Sequence, residues 1–354
     1  MTRTDMSAGP APHSLTESDL ELFDAMQDDP RGPWTEIGRR VGVSPSTVRR
    51  QWQRISSQRD AWIVTYLGKG AGVFLSIVEV ECTAGAVPQV CAAVRLLPAV
   101  LNVYETNGDV DLLLETVTLD VRQLRSVLHA VAQAPGVIRV RSSTGSTVYR
   151  EASRWRTGAL PRTSSAGSEE AAAPNPAQLD RALTVLRELE RDGRASPAHL
   201  AGVLGMSETH ARRYVKALLR QKVLVQRVDM APGVSEWPHS LALHMSAPAG
   251  ELAATAAAIS GMPGTRLCTA TAGGRHNLYA VIWMHGVHEA VEVEARITGS
   301  LTVEVLHRSL ILHAHKRMGH LIDEHGRDAG LVPWQPPGAD GAAAVAEDPA
   351  PPSP

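Results

Sequence analysis

The chain contains one sequence pattern twice. Residues 15 to 62 have a helix-turn-helix pattern, and residues 178 to 225 have it again at an offset of 163 without gaps. When the two copies are aligned at this offset, the turn Val41-Gly42-Val43-Ser44 matches the turn Leu204-Gly205-Met206-Ser207. Since the offset equals one small helical module plus about a hundred residues, it predicts two copies of a two-module unit.

Each copy carries local signals for a turn followed by a recognition helix. In the first copy, Gly42 suits the positive-φ turn, Ser44 can cap the next helix, and Pro45 fits its first position. Gly205 and Ser207 occupy the turn and cap in the second copy. Apolar residues then recur at spacings of three and four, so one face of each helix should be buried and its arginines should face outward.

The charge is segregated along the chain. Residues 31 to 59 hold seven arginines against Glu36, and residues 194 to 227 hold seven basic residues against Glu208, so each stretch carries +6. Residues 73 to 120 hold seven acids against Arg95, which gives −6. The sequence therefore predicts two basic modules that face phosphate and an acidic module that does not.

Composition sets the expected domain boundaries and compartment. Three cysteines without a Cys-x-x-Cys spacing, no secretory leader and no long apolar run predict a cytoplasmic protein without a membrane partner. Scarce aromatic residues argue against stacking platforms for single-stranded nucleic acid. The predicted segments are a disordered leader (1–14), a first helix-turn-helix (15–62), a first sensing and assembly domain (63–156), a linker (157–176), a second helix-turn-helix (177–228), a second sensing and assembly domain (229–325) and a disordered tail (326–354).

The periodicity after each helical module changes to a strand, helix, strand, strand, helix, strand order. The expected strands are 73–81, 99–105, 110–117 and 137–143 in the first unit, and 239–245, 265–271, 277–284 and 302–308, with a further strand at 309–314, in the second. The expected helices are 85–96, 119–133, 248–260 and 287–297. The fold class is therefore α+β, with two winged-helix-like helix-turn-helix domains, each followed by a ferredoxin-like βαββαβ domain.

Some of the predicted strands are apolar on both faces. Residues 73–78 and 278–283 have no polar alternation, although the two helices of a βαββαβ unit cover only one face of its sheet. The other face needs a partner sheet. This partner comes either from the second unit, as an internal pseudo-dimer, or from a second chain in a homo-oligomer.

These motifs resemble the leucine-responsive and asparagine regulator (Lrp/AsnC) family. The stretches "IGRRVGVSPSTVRRQWQRI" and "NGDVDLLLET" resemble its helix-turn-helix and its Gly-Asp-x-Asp loop, and "ILHAHKRMGHLID" resembles the close of double-length members. The resemblance covers about residues 15 to 150 and 178 to 323. It implies a transcriptional regulator with ligand-sensing (RAM-type) domains that respond to an amino acid or another small metabolite.

A recognition helix places its N-terminal side chains against base edges in the major groove of duplex DNA, and flanking basic residues contact phosphates. The predicted DNA contacts are Ser44, Ser46, Thr47, Arg49, Arg50 and Arg54 in the first copy, and Ser207, Thr209, His210, Arg212, Arg213 and Lys216 in the second. The alternative is a solvated basic surface that has lost DNA binding. Because the first-turn residues differ between the copies, we expect unlike half-sites about 34 Å apart or a multiple of that distance.

The loops between the middle strands are candidate effector sites. Carboxylates there could bind the ammonium group of an amino acid, and backbone N–H groups could bind its carboxylate. The predicted ligand-binding residues are Asn107, Gly108, Asp109 and Asp111 in the first unit and Gly273, Gly274, Arg275, His276 and Asn277 in the second. The second loop lacks both aspartates of the family motif. The alternative is a pair of ordinary hairpin loops.

No cofactor or metal is expected. His313 and His315 lie on one parity of a predicted strand, near His307 and His320, but no cysteine or acid completes an evident metal set. We also expect no catalytic residue and no enzymatic activity. Two alternatives stay open: an enzyme similar to siroheme decarboxylases, because "RHNLYAVIWMHG" loosely resembles their motif, and an assembly protein that no longer senses a ligand.

Overall fold

The computed structural model describes residues 15–160 and 174–337. Its first half contains α1 (Glu17–Asp28), α2 (Trp34–Val41), α3 (Pro45–Ser57), β1 (Ala61–Leu67), β2 (Phe74–Cys82), α4 (Val87–Val94), β3 (Val100–Thr106), β4 (Leu112–Thr118), α5 (Val121–Ala132) and β5 (Val137–Arg150). The second half contains α6 (Pro176–Arg191), α7 (Pro197–Leu204), α8 (Glu208–Arg220), β6 (Leu224–Met230), β7 (His239–Ser246), α9 (Leu252–Gly261), β8 (Thr265–Ala272), β9 (Leu278–Met284), α10 (Glu289–Ser300), β10 (Glu304–Arg317), β11 (His320–Ile322) and β12 (Asp328–Leu331). The predicted order is thus present in both halves.

The local signals act as predicted at both turns. Gly42 and Gly205 have φ values of +77° and +63°, which a residue without a Cβ adopts without strain. The Ser44 hydroxyl accepts a hydrogen bond from the Thr47 backbone N–H at 3.1 Å, and Pro45 is the first residue of α3. The predicted helices after both turns, α3 and α8, are confirmed.

The two βαββαβ units close into one barrel of eight strands. The strands pair in the order β3-β4-β2-β5-β8-β9-β7-β10, and β10 also pairs with β3. The two longest strands join the units, because the first parts of β5 and β10 pair within their own unit and the last parts pair with β8 and β3 of the other. The partner sheet predicted from the apolar strands is therefore internal, as in a pseudo-dimer.

Two predictions about the end of the chain are wrong. The strands expected at 302–308 and 309–314 are one continuous strand, β10, with a register shift between Val305 and His307. The tail is not disordered from residue 326, because β12 pairs with β11 and Trp334 is buried. The Trp334 indole N–H donates to the Val117 carbonyl at 2.9 Å. The composition of this stretch, which is rich in Pro, Ala and Gly, did not indicate that a tryptophan within it is buried.

Three predicted segments lie wholly or partly outside the described residues: the leader 1–14, most of the linker (161–173) and the tail from 338. The described start of the linker packs against α1, where the Asp24 carboxylate accepts hydrogen bonds from the backbone N–H groups of Thr157, Gly158 and Leu160. Among the helices of residues 15–160 and 174–337, none combines the length and apolar character needed to cross a bilayer.

The barrel walls have two apolar faces with different partners. Val78, Val80 and Leu114 point outward and pack under α4 and α5, and the equivalent strands of the second unit pack under α9 and α10. Ile77, Leu113, Tyr279 and Val281 point inward and form a smaller cluster inside the barrel. This double burial explains why these strands lack polar alternation in the sequence.

Candidate DNA-binding surface and interior cavity

The predicted DNA contacts lie on the exposed faces of α3 and α8. Ser44, Ser46, Arg49, Arg50 and Arg54 are exposed, and Thr47 is half-buried. In the second copy, all six predicted residues (Ser207, Thr209, His210, Arg212, Arg213 and Lys216) are exposed. The opposite faces of the two helices are buried through Val48, Trp52 and Ile55 and through Ala211, Val215 and Leu218. Each helix therefore presents a polar, basic face to solvent.

Two of these arginines have acidic partners. Arg54 pairs with the buried Asp19 carboxylate at 2.5 Å, and Arg212 pairs with Glu208 at 2.9 Å. Among the residues that the structure describes, Arg49, Arg50 and Arg213 form no ion pair. Each recognition helix thus has at least one arginine without an ion pair in its first half, where base edges would be contacted.

The two helix-turn-helix domains are joined by a reciprocal pair of arginines. The Arg31 guanidinium donates to the carbonyls of Gly193 and Ala195 at 2.7 and 2.6 Å. Arg194, at the equivalent position in the repeat, donates to the carbonyls of Pro30 and Gly32 at 2.5 and 2.7 Å. The prediction that these two charges face phosphate is wrong, because their donors are used inside the protein. The contacts fix one domain against the other.

A two-stranded sheet connects the helix-turn-helix pair to the barrel. β1 follows α3, β6 follows α8, and the two strands pair antiparallel from Ala61–Met230 to Leu67–Leu224. The Gln27 side chain accepts from the Val228 N–H at 2.6 Å, and the Thr65 hydroxyl donates to the Leu189 carbonyl at 3.0 Å. Each strand thus contacts the first helix of the other copy and directly follows the recognition helix of its own copy.

A cavity of about 420 Å³ lies between this sheet and one end of the barrel. Its size falls within the range of small-molecule sites. Apolar side chains from both units form much of the wall, including Leu75, Leu101, Val117, Leu267 and Val281. The polar lining residues are Tyr66, Lys69, Asn102, Tyr104, Glu115, Ser146, Thr147, Glu151, Arg227, Arg266 and Arg317.

The cavity has a surplus of buried positive charge. Arg317, Arg227 and Arg266 approach the single carboxylate of Asp229 at 2.7, 3.3 and 3.5 Å. Burial alone would raise the pKa of Asp229, but the charges of these arginines lower it below its usual value. Burial raises the pKa of Glu115, which favours its neutral form. Three guanidinium groups therefore face one firmly ionised carboxylate.

Arg266 is the least satisfied of the three arginines. Its guanidinium carbon lies 3.8 Å from the ring centroid of Trp283 and 4.6 Å from that of Trp155. Its Nη1 is buried without a hydrogen-bond partner among the described atoms. Burial lowers the pKa of Arg266 well below its usual value. An anionic group in the cavity would supply the missing acceptor.

The two loops predicted to bind an effector do not line this cavity. Asn107 accepts from the Leu310 N–H at 2.8 Å, and Asp111 accepts from the Cys82 N–H at 2.6 Å. Asn277 exchanges two hydrogen bonds with the backbone of Ala247, and His276 contacts the Ser143 hydroxyl at 2.9 Å. Gly108, Asp109, Gly273, Gly274 and Arg275 are exposed. Ligand binding by these loops stays a prediction.

The histidines near the end of the chain contact acids. His315 lies 3.0 Å from Glu105, with the His313 ring beside it, and His320 lies 3.1 Å from Asp328. The sequence missed two groups of functional interest: the arginine cluster, and the carboxylate of Glu79 beside His307. The members of each group lie on different strands far apart in the sequence, so no local motif could reveal them.

Comparison with known protein families identifies the domains of this chain. The first half matches the AsnC-type helix-turn-helix domain over residues 15–55 and the Lrp/AsnC ligand binding domain over residues 75–152, in the order seen here. The first half of the chain therefore carries the two domains that define the Lrp/AsnC family. Residues 179–225 match a winged helix-turn-helix DNA-binding domain, which fits a double-length member of the family.

Its curated relatives are regulators of about half its length. The chain is 26% identical over 129 residues to the HTH-type transcriptional regulator FL11 of Pyrococcus horikoshii, which covers 35% of this chain and 83% of FL11. It is 24% identical over 131 residues to the HTH-type transcriptional regulator LysM of Saccharolobus solfataricus, covering 37% and 92%. These domains and relatives make this double-length chain a DNA-binding regulator.

A solved structure of an enzyme has the same two-unit fold. The siroheme decarboxylase NirDL superposes with a TM-score of 0.53 at 15% identity, over 86% of this chain and 93% of NirDL. At this identity the similarity concerns the fold alone. It shows that two fused units of this type occur in a known enzyme.

Proposed function

We propose that this chain is a sequence-specific transcriptional regulator that reads two unlike half-sites in duplex DNA. The observation that carries this proposal is the pair of exposed basic recognition helices whose domains are joined by Arg31 and Arg194. Enzymatic function alone would not require unpaired arginines at the start of both helices. The half-sites should differ because the first turn reads Ser46-Thr47 in one helix and Thr209-His210 in the other.

The DNA-binding part of the proposal predicts strong salt dependence. Each neutralised phosphate contributes about 0.9 to the slope of log affinity against log salt concentration. Fluorescence anisotropy with a duplex from the chain's own promoter, at several salt concentrations, measures this slope. We expect the double variant Arg49→Ala with Arg50→Ala, and separately Arg212→Ala with Arg213→Ala, to reduce both affinity and slope. Binding that is insensitive to salt would contradict the proposal.

The proposed effector is a small carboxylate, such as an amino acid, held in the cavity between the barrel and the β1–β6 sheet. The buried arginines would bind its carboxylate, and Glu151 would face an ammonium group. Arg227 belongs to β6, and Tyr66 belongs to β1. A ligand that contacts both strands would therefore alter the sheet that positions the recognition helices.

A thermal-shift screen with free amino acids and simple carboxylic acids tests the effector proposal. At least one compound should raise the melting temperature, and this compound should change DNA affinity. The variant Arg266→Met should lose the shift, because it removes the guanidinium whose Nη1 lacks an acceptor, while Asp229 keeps two other partners. A screen without any stabilising compound would favour the alternative of an assembly protein that does not sense a ligand.

We further propose that the chain is not an enzyme. The competing candidate is a siroheme decarboxylase-like activity, which the fold similarity to NirDL and the arginine-lined cavity favour. A gel shift beside an absorption spectrum after siroheme addition separates the two proposals. DNA binding without a porphyrin band supports the regulator. A bound porphyrin that is decarboxylated, without DNA binding, would establish the enzyme.

A further inference from the structure

Four side chains meet inside the barrel at a place distinct from the arginine-lined cavity. Glu79 lies on β2, His244 on β7 and His307 on β10, and His276 is in the loop before β9. Glu79 Oε1 is 2.9 Å from His244 Nδ1 and 3.2 Å from His307 Nε2. His244 Nδ1 is 3.4 Å from His276 Nδ1. One carboxylate and three imidazoles thus converge on one small region.

The distances between these atoms suit a common metal ion. A tetrahedral Zn²⁺ with bonds to nitrogen of about 2.0–2.1 Å holds its ligand atoms about 3.3 Å from one another. The measured separations of 2.9, 3.2 and 3.4 Å bracket that value. Potential ligand atoms of Glu79, His244 and His276 all lie within 4.8 Å of each other. Little rearrangement would be needed for these groups to share an ion.

The protonation states also suit metal binding, which requires neutral imidazoles and an ionised carboxylate. Burial lowers the pKa of His276 to about 4 and also lowers that of His244. Burial would raise the pKa of Glu79, but hydrogen bonds from His244 and His307 lower it far below its usual value. Because His244 Nδ1 shares a proton with Glu79, an ion bound at Nδ1 would require that proton to move to Nε2.

A further contact orients one of the histidines. The Ser143 hydroxyl lies 2.9 Å from His276 Nε2, so the other ring nitrogen, Nδ1, faces the cluster. Metal-binding histidines usually have such a partner on the nitrogen that does not bind the ion. His244 is fully buried and packs against the Tyr279 ring, with centroids 4.9 Å apart. Both rings are held in place by their surroundings.

We propose that Glu79, His244 and His276 bind one divalent transition-metal ion, of the Zn²⁺ or Co²⁺ type, inside the barrel, while His307 stacks on His244 and contacts the Glu79 carboxylate. Glu79 belongs to the first unit and the three histidines to the second, so the ion would link the two halves of the chain. Imidazole and carboxylate ligands favour such metals over Ca²⁺ or Mg²⁺. Because His307 is 17% exposed, the cluster can be reached from solvent.

The test uses the untagged full chain, stripped with a chelator and titrated with Co²⁺, whose visible absorption reports tetrahedral coordination. We expect one Co²⁺ per chain, competition by Zn²⁺, and a higher melting temperature with Zn²⁺. The variants Glu79→Gln and His276→Gln keep similar volumes and should each weaken binding by at least about 100-fold. Ser143→Ala should weaken binding by about 10-fold, because it removes only the orienting contact.

The matched control is the double variant His313→Gln with His315→Gln, which removes two neighbouring imidazoles from the same strand outside the cluster. It should leave Co²⁺ binding unchanged. Circular dichroism and melting without metal confirm that each variant folds. The proposal is overturned if the folded wild-type chain gives neither a Co²⁺ band nor a Zn²⁺ shift. It is equally overturned if Glu79→Gln and His276→Gln retain full binding. DNA affinity plays no part in this test, so its outcome is independent of the proposed regulatory function.

Discussion

Replacing Arg194 with methionine should uncouple the two helix-turn-helix domains. The substitution removes two hydrogen bonds to the carbonyls of Pro30 and Gly32 and a cation–π contact, in which the guanidinium lies 3.8 Å from the Trp34 ring centroid. Hydrogen bonds from a charged donor contribute about 1.5–3 kcal/mol each, and a partly exposed cation–π contact about 0.5–1 kcal/mol. Because Arg194 is half-buried, we expect a loss of about 2–4 kcal/mol in the free energy of unfolding.

The functional consequence should be specific to DNA with two half-sites. When the two domains are held in a fixed arrangement, binding at one half-site raises the effective concentration of the second domain at the other. Arg194→Met should therefore lower affinity for a duplex with both half-sites and leave affinity for a single half-site nearly unchanged. Urea unfolding measures the stability, and fluorescence anisotropy with the two duplexes measures the affinities.

Arg213→Met is the matched control for this prediction. Arg213 is exposed on α8 and forms no ion pair within the described ranges, so its loss should change stability by less than about 0.5 kcal/mol. It should instead weaken binding to its own half-site. If Arg194→Met is as stable as the wild-type chain and binds the double site equally well, the proposed coupling between the domains is wrong.

Two further predictions concern buried groups near the second helix-turn-helix. Burial raises the pKa of Glu190 to about 8, so its folded pKa lies above the unfolded value; its contribution to stability is complete below about pH 4.5 and is lost as pH rises toward 8. Burial lowers the pKa of the nearby Lys316 to about 7, which gives the opposite trend at higher pH. From pH 5 to 7 we therefore expect the wild-type chain to lose about 2 kcal/mol more stability than Glu190→Gln, which shares all other titrating groups. Urea unfolding at both pH values checks this, and equal slopes in both proteins would refute it. Trp334→Ala should cost about 3–5 kcal/mol by the same assay, because Trp334 is 3% exposed and donates to Val117, whereas a loss below about 1 kcal/mol would mean that the ordered end of the chain contributes little.

The helix-turn-helix domains could be predicted from the sequence because their signals are local. Gly42, Ser44 and Pro45 lie within four residues of one another, and each determines the conformation or hydrogen bonding of its own turn. The apolar strands also predicted a missing partner sheet. The sequence left open whether that sheet was internal, because β5 and β10 reach their second partners only after pairing with β2 and β7.

The interior sites could not be predicted from the sequence, because stretches rich in charged residues ordinarily indicate a solvent-exposed surface. Glu79 and Glu115 belong to the acidic stretch of the sequence, but both side chains point into the barrel and are buried. Arg31 and Arg194 belong to the basic stretches, but their donors are used between the two domains. Where a charged side chain finds its partner 160 or more residues away in sequence, as Arg31 does at Gly193, only the folded chain reveals the pair.

Footprinting on a natural operator tests the central claim most directly. Arg49→Ala with Arg50→Ala should remove protection over one half of the footprint only, and Arg212→Ala with Arg213→Ala should remove it over the other half. A control that replaces the exposed Arg122 and Arg125 of α5 by alanine changes net charge equally and should leave the whole footprint intact. Symmetric loss of protection in either recognition-helix variant, or an unchanged footprint in both, would contradict a regulator that reads unlike half-sites with two joined domains.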